Sequence, residues 1–125
     1  MKVSAKLNFV TVQGGRDEIE VVGIVDVCPD VVYISYSTSA NTFLLEIEDE
    51  RLTITRFGPD SYSMILEETH PHILRMGSMA VDVYTQKLRF KQSKTKLELY
   101  AEYSLGGDPT PTKLSIKAKL SDNAD

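Results

Sequence analysis

The stretch TFLLEIEDERLTITRFG, residues 42–58, decides the fold class. Phe43, Leu45 and Ile47 alternate with other side chains. After the polar run Glu48–Arg51, Leu52, Ile54 and Arg56 resume the same spacing. A period of two is that of a strand with one buried face, whereas a helix would repeat its apolar residues every three to four positions. Two such runs around a short polar link form a β-hairpin.

The habit extends in both directions. KVSAKLNFV (2–10) places Val3, Ala5, Leu7 and Phe9 on one face, and EIEVVGIVDV (18–27) places Ile19, Val21, Val25 and Val27 together with Gly23 in phase. A glycine inside a strand marks a bulge or a barrel bend. VVYISYS is apolar in both phases and suits a central strand. SYSMILE, SMAVDVYT, KLRF, KLELYAEYSL and KLSIKAKL continue the alternation, and QGGRD, CPD, TSAN, GPD, HPH, QSKTK and GGDPTPT punctuate it with turn residues. No segment of helical length carries a helical period. The spacing predicts an all-β chain of roughly eight to ten antiparallel strands, mostly hairpins. Closure removes exposed edges, so an up-and-down barrel is preferred to a two-sheet sandwich. The expected inward set is Leu7, Phe9, Val21, Val25, Phe43, Leu45, Leu52, Ile54, Met64, Leu66, Met79, Val81, Leu99, Leu114 and Ile116.

With 125 residues the chain suits a single barrel domain, with 121–125 as a loose C-terminal tail. The alternating N-terminus lacks the continuous apolar run of a signal peptide, and no stretch approaches a membrane span, so a cytoplasmic protein is expected. The single cysteine, Cys28, excludes an internal disulfide framework. A sequence pI of about 5.2 argues against nucleic acid as a partner, which requires a basic footprint. Charge is unevenly spread: residues 17–68 hold twelve acids and two arginines, and residues 75–119 hold nine basic residues and four acids. Such polarity leaves room for a homodimer or an acidic partner.

The succession VYISYS, then EIEDERLTITRFG ending in Arg56 and Gly58, MGSMAVDVYT, KLELYAEYSL and the closing KLSIKAKL resembles the YwiB-like family. These are bacterial proteins of unknown function. The resemblance spans nearly the whole chain and implies a calycin-like (lipocalin-like) β-barrel. It carries over no catalytic residues and no cofactor.

Candidates for chemistry are few. His70 and His72 flank Pro71; in an extended segment both imidazoles would face one side. Two histidines are half of a tetrahedral shell, and the spacing prescribes no third ligand, so ETHPH reads as a turn rather than a metal site. Arg56 shares phase with Leu52 and Ile54 and so points toward the interior, where an unpaired guanidinium is costly. It would hold the anionic end of an apolar ligand, with Tyr33, Tyr36, Tyr62 or Tyr103 as a second donor. The simpler reading places Arg56 at its strand end in a structural role. Cys28 lies between Asp26 and Asp30, a setting that does not favour a reactive thiolate. Glu46 and Glu48 share the polar face of their strand, GGDPTPT lacks a phosphate-loop lysine and helix, and no nucleophile motif is present. The run KLRFKQSKTK and the lysines Lys113, Lys117 and Lys119 would form a basic face, most simply a solvated one.

No catalytic constellation can be assembled, so the expectation is a non-enzyme. Two readings stay open: a barrel binding a small apolar or anionic ligand, and an interaction or regulatory module with a filled core.

Overall fold

The structure is a computed structural model that describes residues 1–120; the expected tail at 121–125 lies outside the described residues. The alternating runs form ten strands: β1 (Lys2–Val12), β2 (Arg16–Val27), β3 (Val32–Ser37), β4 (Thr42–Glu48), β5 (Arg51–Phe57), β6 (Tyr62–Glu67), β7 (His72–Met76), β8 (Met79–Gln92), β9 (Lys96–Leu105) and β10 (Thr112–Leu120). They make one antiparallel sheet in the order β6-β5-β4-β3-β2-β1-β10-β9-β8-β7. The first and last strands pair from Ala5↔Leu120 to Val12↔Lys113. The sheet therefore curls into a nearly closed barrel, and its seam falls between β6 and β7.

No ladder joins β6 to β7 among the described residues; single bonds stitch the seam instead. The Glu67 amide donates to Thr85 Oγ1 at 3.0 Å. Glu68 Oε2 accepts from the Leu88 amide and from Arg89 Nη1, each at 2.7 Å. His72 Nε2 lies 2.9 Å from Glu67 Oε1, and Arg51 Nη2 donates to the same oxygen at 3.4 Å. Glu67, the last residue of β6, and Glu68 just after it thus satisfy groups that a ladder would otherwise pair.

Two details depart from the sequence reading. SMAVDVYT and KLRF are one long strand, β8, interrupted by a register shift between Thr85 and Lys87. The extra residue, Gln86, resets the alternation: Val83 is buried before it, while Leu88 and Phe90 turn inward after it. HILRM, not singled out as a strand, is β7. The turn at the histidines is accordingly shorter, with His72 already in β7 and His70 outside any strand.

Nine strands each contribute a side chain with no more than 1 % exposure: Leu7, Val25, Ile34, Leu45, Leu52, Leu66, Val83, Leu97 and Ile116. Each such burial stabilises the fold by roughly 1.5–3 kcal/mol relative to exposure. Of the expected inward set, Met79 is the exception at 58 % exposure. It pairs with Met76 across the tight Gly77–Ser78 turn and keeps the inward phase, but the hairpin tip runs past the end of the core.

Gly23 sits where β2 parts from β3. The β2–β3 ladder covers only Ile24↔Ser35 to Val27↔Val32, while β2 continues back to Arg16 paired with β1 alone. A Cβ on Gly23 would lie 2.5 Å from the Ser35 carbonyl oxygen and 2.7 Å from Leu7 Cδ1. The glycine therefore serves close backbone approach, without a bulge in either ladder. Beyond it the wall between β2 and β3 is open.

Candidate functional site

The opening leads to a cavity of about 460 Å³ at one end of the barrel. Its position follows from register. Tyr36, Phe43, Arg56 and Tyr62 are successive cross-strand partners on β3, β4, β5 and β6, so one row of the inner face is aromatic apart from Arg56. The Tyr36 and Phe43 rings stack at 4.9 Å between centroids, and Phe9 of β1 tilts against Tyr36 at 4.6 Å. Across the barrel, Tyr103 of β9 pairs with the buried Thr112 of β10. Leu45, Ile54, Met64, Leu114 and Ile116 line the apolar walls, and Asp17, Glu18 and Ile19 of β2 form the outer lip.

The tyrosines face one another. Burial pushes the Tyr36 hydroxyl up to about 12, and the proximity of Tyr62 adds to the effect. Tyr103 is raised for the same reasons in the same order, with a side-chain hydrogen bond to Thr112 pulling the other way. Tyr36 and Tyr103 therefore stay protonated at neutral pH, and a phenol hydroxyl can both donate and accept. Among the described residues the Tyr36 and Tyr62 hydroxyls take no hydrogen-bond partner, and no sealed polar atom is left unsatisfied. Their hydroxyls thus open onto the cavity. At the lip, hydrogen bonds from Asn8 Nδ2 (3.0 Å) and Arg16 Nη2 (3.1 Å) hold Glu18 below the ordinary glutamate range.

Of the residues that sequence reasoning nominated, Tyr36, Tyr62 and Tyr103 line this cavity, while Arg56 and Tyr33 do not. Arg56 keeps the inward phase, but its guanidinium folds back: Nε and Nη2 donate to the Asp60 carbonyl at 2.9 and 2.7 Å. The same group lies 4.7 Å above the Tyr62 ring. It fastens the β5–β6 turn and steadies Tyr62. Tyr33 has the opposite phase to Ile34 and stands on the outer wall beside Ile24, Ser35 and Leu44. Phe9, Phe43 and Leu114 were legible as inward residues, and Thr112, two before Leu114, shared that signal. Nothing in the spacing placed Asp17–Ile19 at the lip, because that depends on where β2 leaves β3.

The remaining candidates lie elsewhere. His70 Nδ1 is 2.8 Å from the Thr69 hydroxyl and 4.0 Å from Glu67 Oε1, so both histidines turn toward the Glu67 carboxylate at the seam. His72, followed by Arg51, holds Glu67 below the ordinary range. Among the described residues no group of three or more His, Cys, Asp or Glu is arranged to hold a metal ion. Cys28 lines a depression of about 490 Å³ at the opposite end of the barrel, rimmed by Asp30, Glu48, Asp49 and Glu50 and by Arg51 and Arg89. Glu46 projects outward between Tyr33 and Thr53.

Residues 6–114 match DUF1934, a domain of unknown function. The chain belongs to the DUF1934 family. In shape the DUF1934 barrel is similar to the crystal structure of the ywiB protein from Bacillus subtilis, with a TM-score of 0.76 over 95 % of this chain and 91 % of that one. At 13 % identity the likeness establishes a shared fold. No curated protein matches significantly. Among the described residues no helix is long and apolar enough to cross a membrane.

Proposed function

We propose that this DUF1934 barrel is a non-catalytic binding module for one small molecule, largely apolar with a polar end, held in the tyrosine-lined cavity. One observation carries the reading: Tyr36, Tyr62 and Tyr103 converge from three strands on an apolar space of about 460 Å³. Cavities of that size with a few convergent polar groups are the usual form of a small-molecule site. The phenols supply neutral donors, and the opening beside β2 supplies an entry. An anionic end is accommodated less well, because Arg56 is engaged by Asp60 and the lip carries Asp17 and Glu18. The test is native mass spectrometry of gently purified protein, compared with the same sample denatured. A drug-sized mass lost on denaturation is expected. A bare mass, together with no saturable fluorescence from anilinonaphthalene sulfonate, would overturn the reading.

A second reading, an interaction module, rests on the outer wall. Val22 is 68 % exposed and Ile24 42 % exposed, beside the half-buried Tyr33 and Leu44. A bare dimer in the same spectra, converted to monomer by Val22→Asp, would favour it.

A further inference from the structure

We infer that the outer wall across β1, β10 and β9 carries a site for a small, multiply charged phosphate-bearing anion, centred on Lys6, Lys119 and Lys96. Register places these three lysines side by side, Lys6 opposite Lys119 and Lys119 opposite Lys96. Directly opposed like charges on a sheet destabilise it.

The same wall supplies the comparison. The next row reads Lys117 opposite Glu98 opposite Lys91, and a further row reads Lys113 opposite Glu102 opposite Lys87. Nearer the other edge, Lys2 stands opposite Asp26. Each of those rows alternates in sign, as favourable cross-strand pairing requires. Among the described residues, only the Lys6–Lys119–Lys96 row sets three like charges together. None of the three takes an ion pair there. Solubility alone does not account for the contrast, because lysines in the alternating rows serve it equally.

The row lines a shallow depression of about 410 Å³ with Asn8, Lys117 and two acids, Glu20 and Glu98. Glu98 has Lys117 and Lys91 as cross-strand partners, and Glu20 lies opposite Asn8, so neither faces a lysine of the row directly. Ammonium groups recognise phosphate as point charges, and three in a line match an extended phosphate chain better than a single charge. All three lysines are exposed, so their substitution leaves the core untouched. The ligand of this wall is distinct from that of the tyrosine cavity, and the two readings stand or fall separately.

The test is calorimetric titration of the full chain with sodium tripolyphosphate at low ionic strength. Saturable one-to-one binding is expected. Lys119→Gln should weaken it by about tenfold or more, whereas Lys113→Gln, in an alternating row, should change it less than about twofold. No saturable binding, or equal losses in the two variants, would overturn the site. A second readout needs no ligand: Lys119→Glu restores alternation and should raise the melting temperature of the anion-free protein. No rise would remove the strained row on which the inference stands.

Discussion

Gly23→Ala tests the geometry that opens the barrel. The added methyl carbon would lie 2.5 Å from the Ser35 carbonyl oxygen, 2.7 Å from Leu7 Cδ1 and 3.1 Å from Tyr36 Cβ. The two closest approaches are roughly 1 Å short of van der Waals contact. Leu7 is fully buried and has little room to turn, and the Ser35 oxygen belongs to the backbone of β3, so no rotamer change relieves it. Overpacking of this kind costs about 1–3 kcal/mol. Against it, alanine restricts the unfolded chain and returns about 0.4–1 kcal/mol where the native backbone tolerates it. Because one clash is with backbone, the upper part of the range applies, and a net loss of about 2 kcal/mol follows. For a chain of this length that lowers the melting temperature by about 6–10 °C. Thermal and urea unfolding followed by circular dichroism measure it, with Gly15→Ala as the control, since a Cβ there meets nothing within 4 Å. A Gly23→Ala protein as stable as the parent would refute the close approach of β2 and β3, and with it the account of the opening.

Two further outcomes follow from the ionisable groups. Tyr36 and Tyr103 have raised pKa values, so the folded state keeps protons that the unfolded chain sheds above pH 10; stability is full below that pH and is lost as pH climbs toward about 12. Phenolate absorbance should show Tyr36 and Tyr103 ionising above pH 10, and with unfolding; their ionisation near pH 10 in folded protein would contradict their burial. At the seam, Glu67 and Glu68 have lowered pKa values, so their contribution is present above 4.5 and is lost as pH falls through the lowered values. Glu68→Ala should leave the barrel folded but speed hydrogen exchange at the Leu88 amide, whose bond to Glu68 is 2.7 Å long; an unchanged rate there would mean the carboxylate does not secure the edge of β8.

The period of two in runs such as RLTITRF and KLSIKAKL was enough to determine an all-β chain and most of its inward face. Alternation is a local property, set by the pleat of each strand. It also placed Tyr36, Tyr62 and Tyr103 among the candidates, though with no means of separating them from Tyr33 and Arg56. That separation depends on which residues become cross-strand neighbours and on where a side chain ends. Tyr33 differs from Tyr36 only in phase within a run that is apolar on both faces. Arg56 has the right phase, but the β5–β6 turn presents a carbonyl that takes its guanidinium. Register likewise lies beyond the reach of spacing: Lys6, Lys96 and Lys119 are remote in sequence and become one row only when β1, β10 and β9 close the sheet. The seam between β6 and β7 and the parting of β2 from β3 are of the same kind. Each records a choice among pairings that the local pattern permits equally, and the packing of the whole barrel makes that choice.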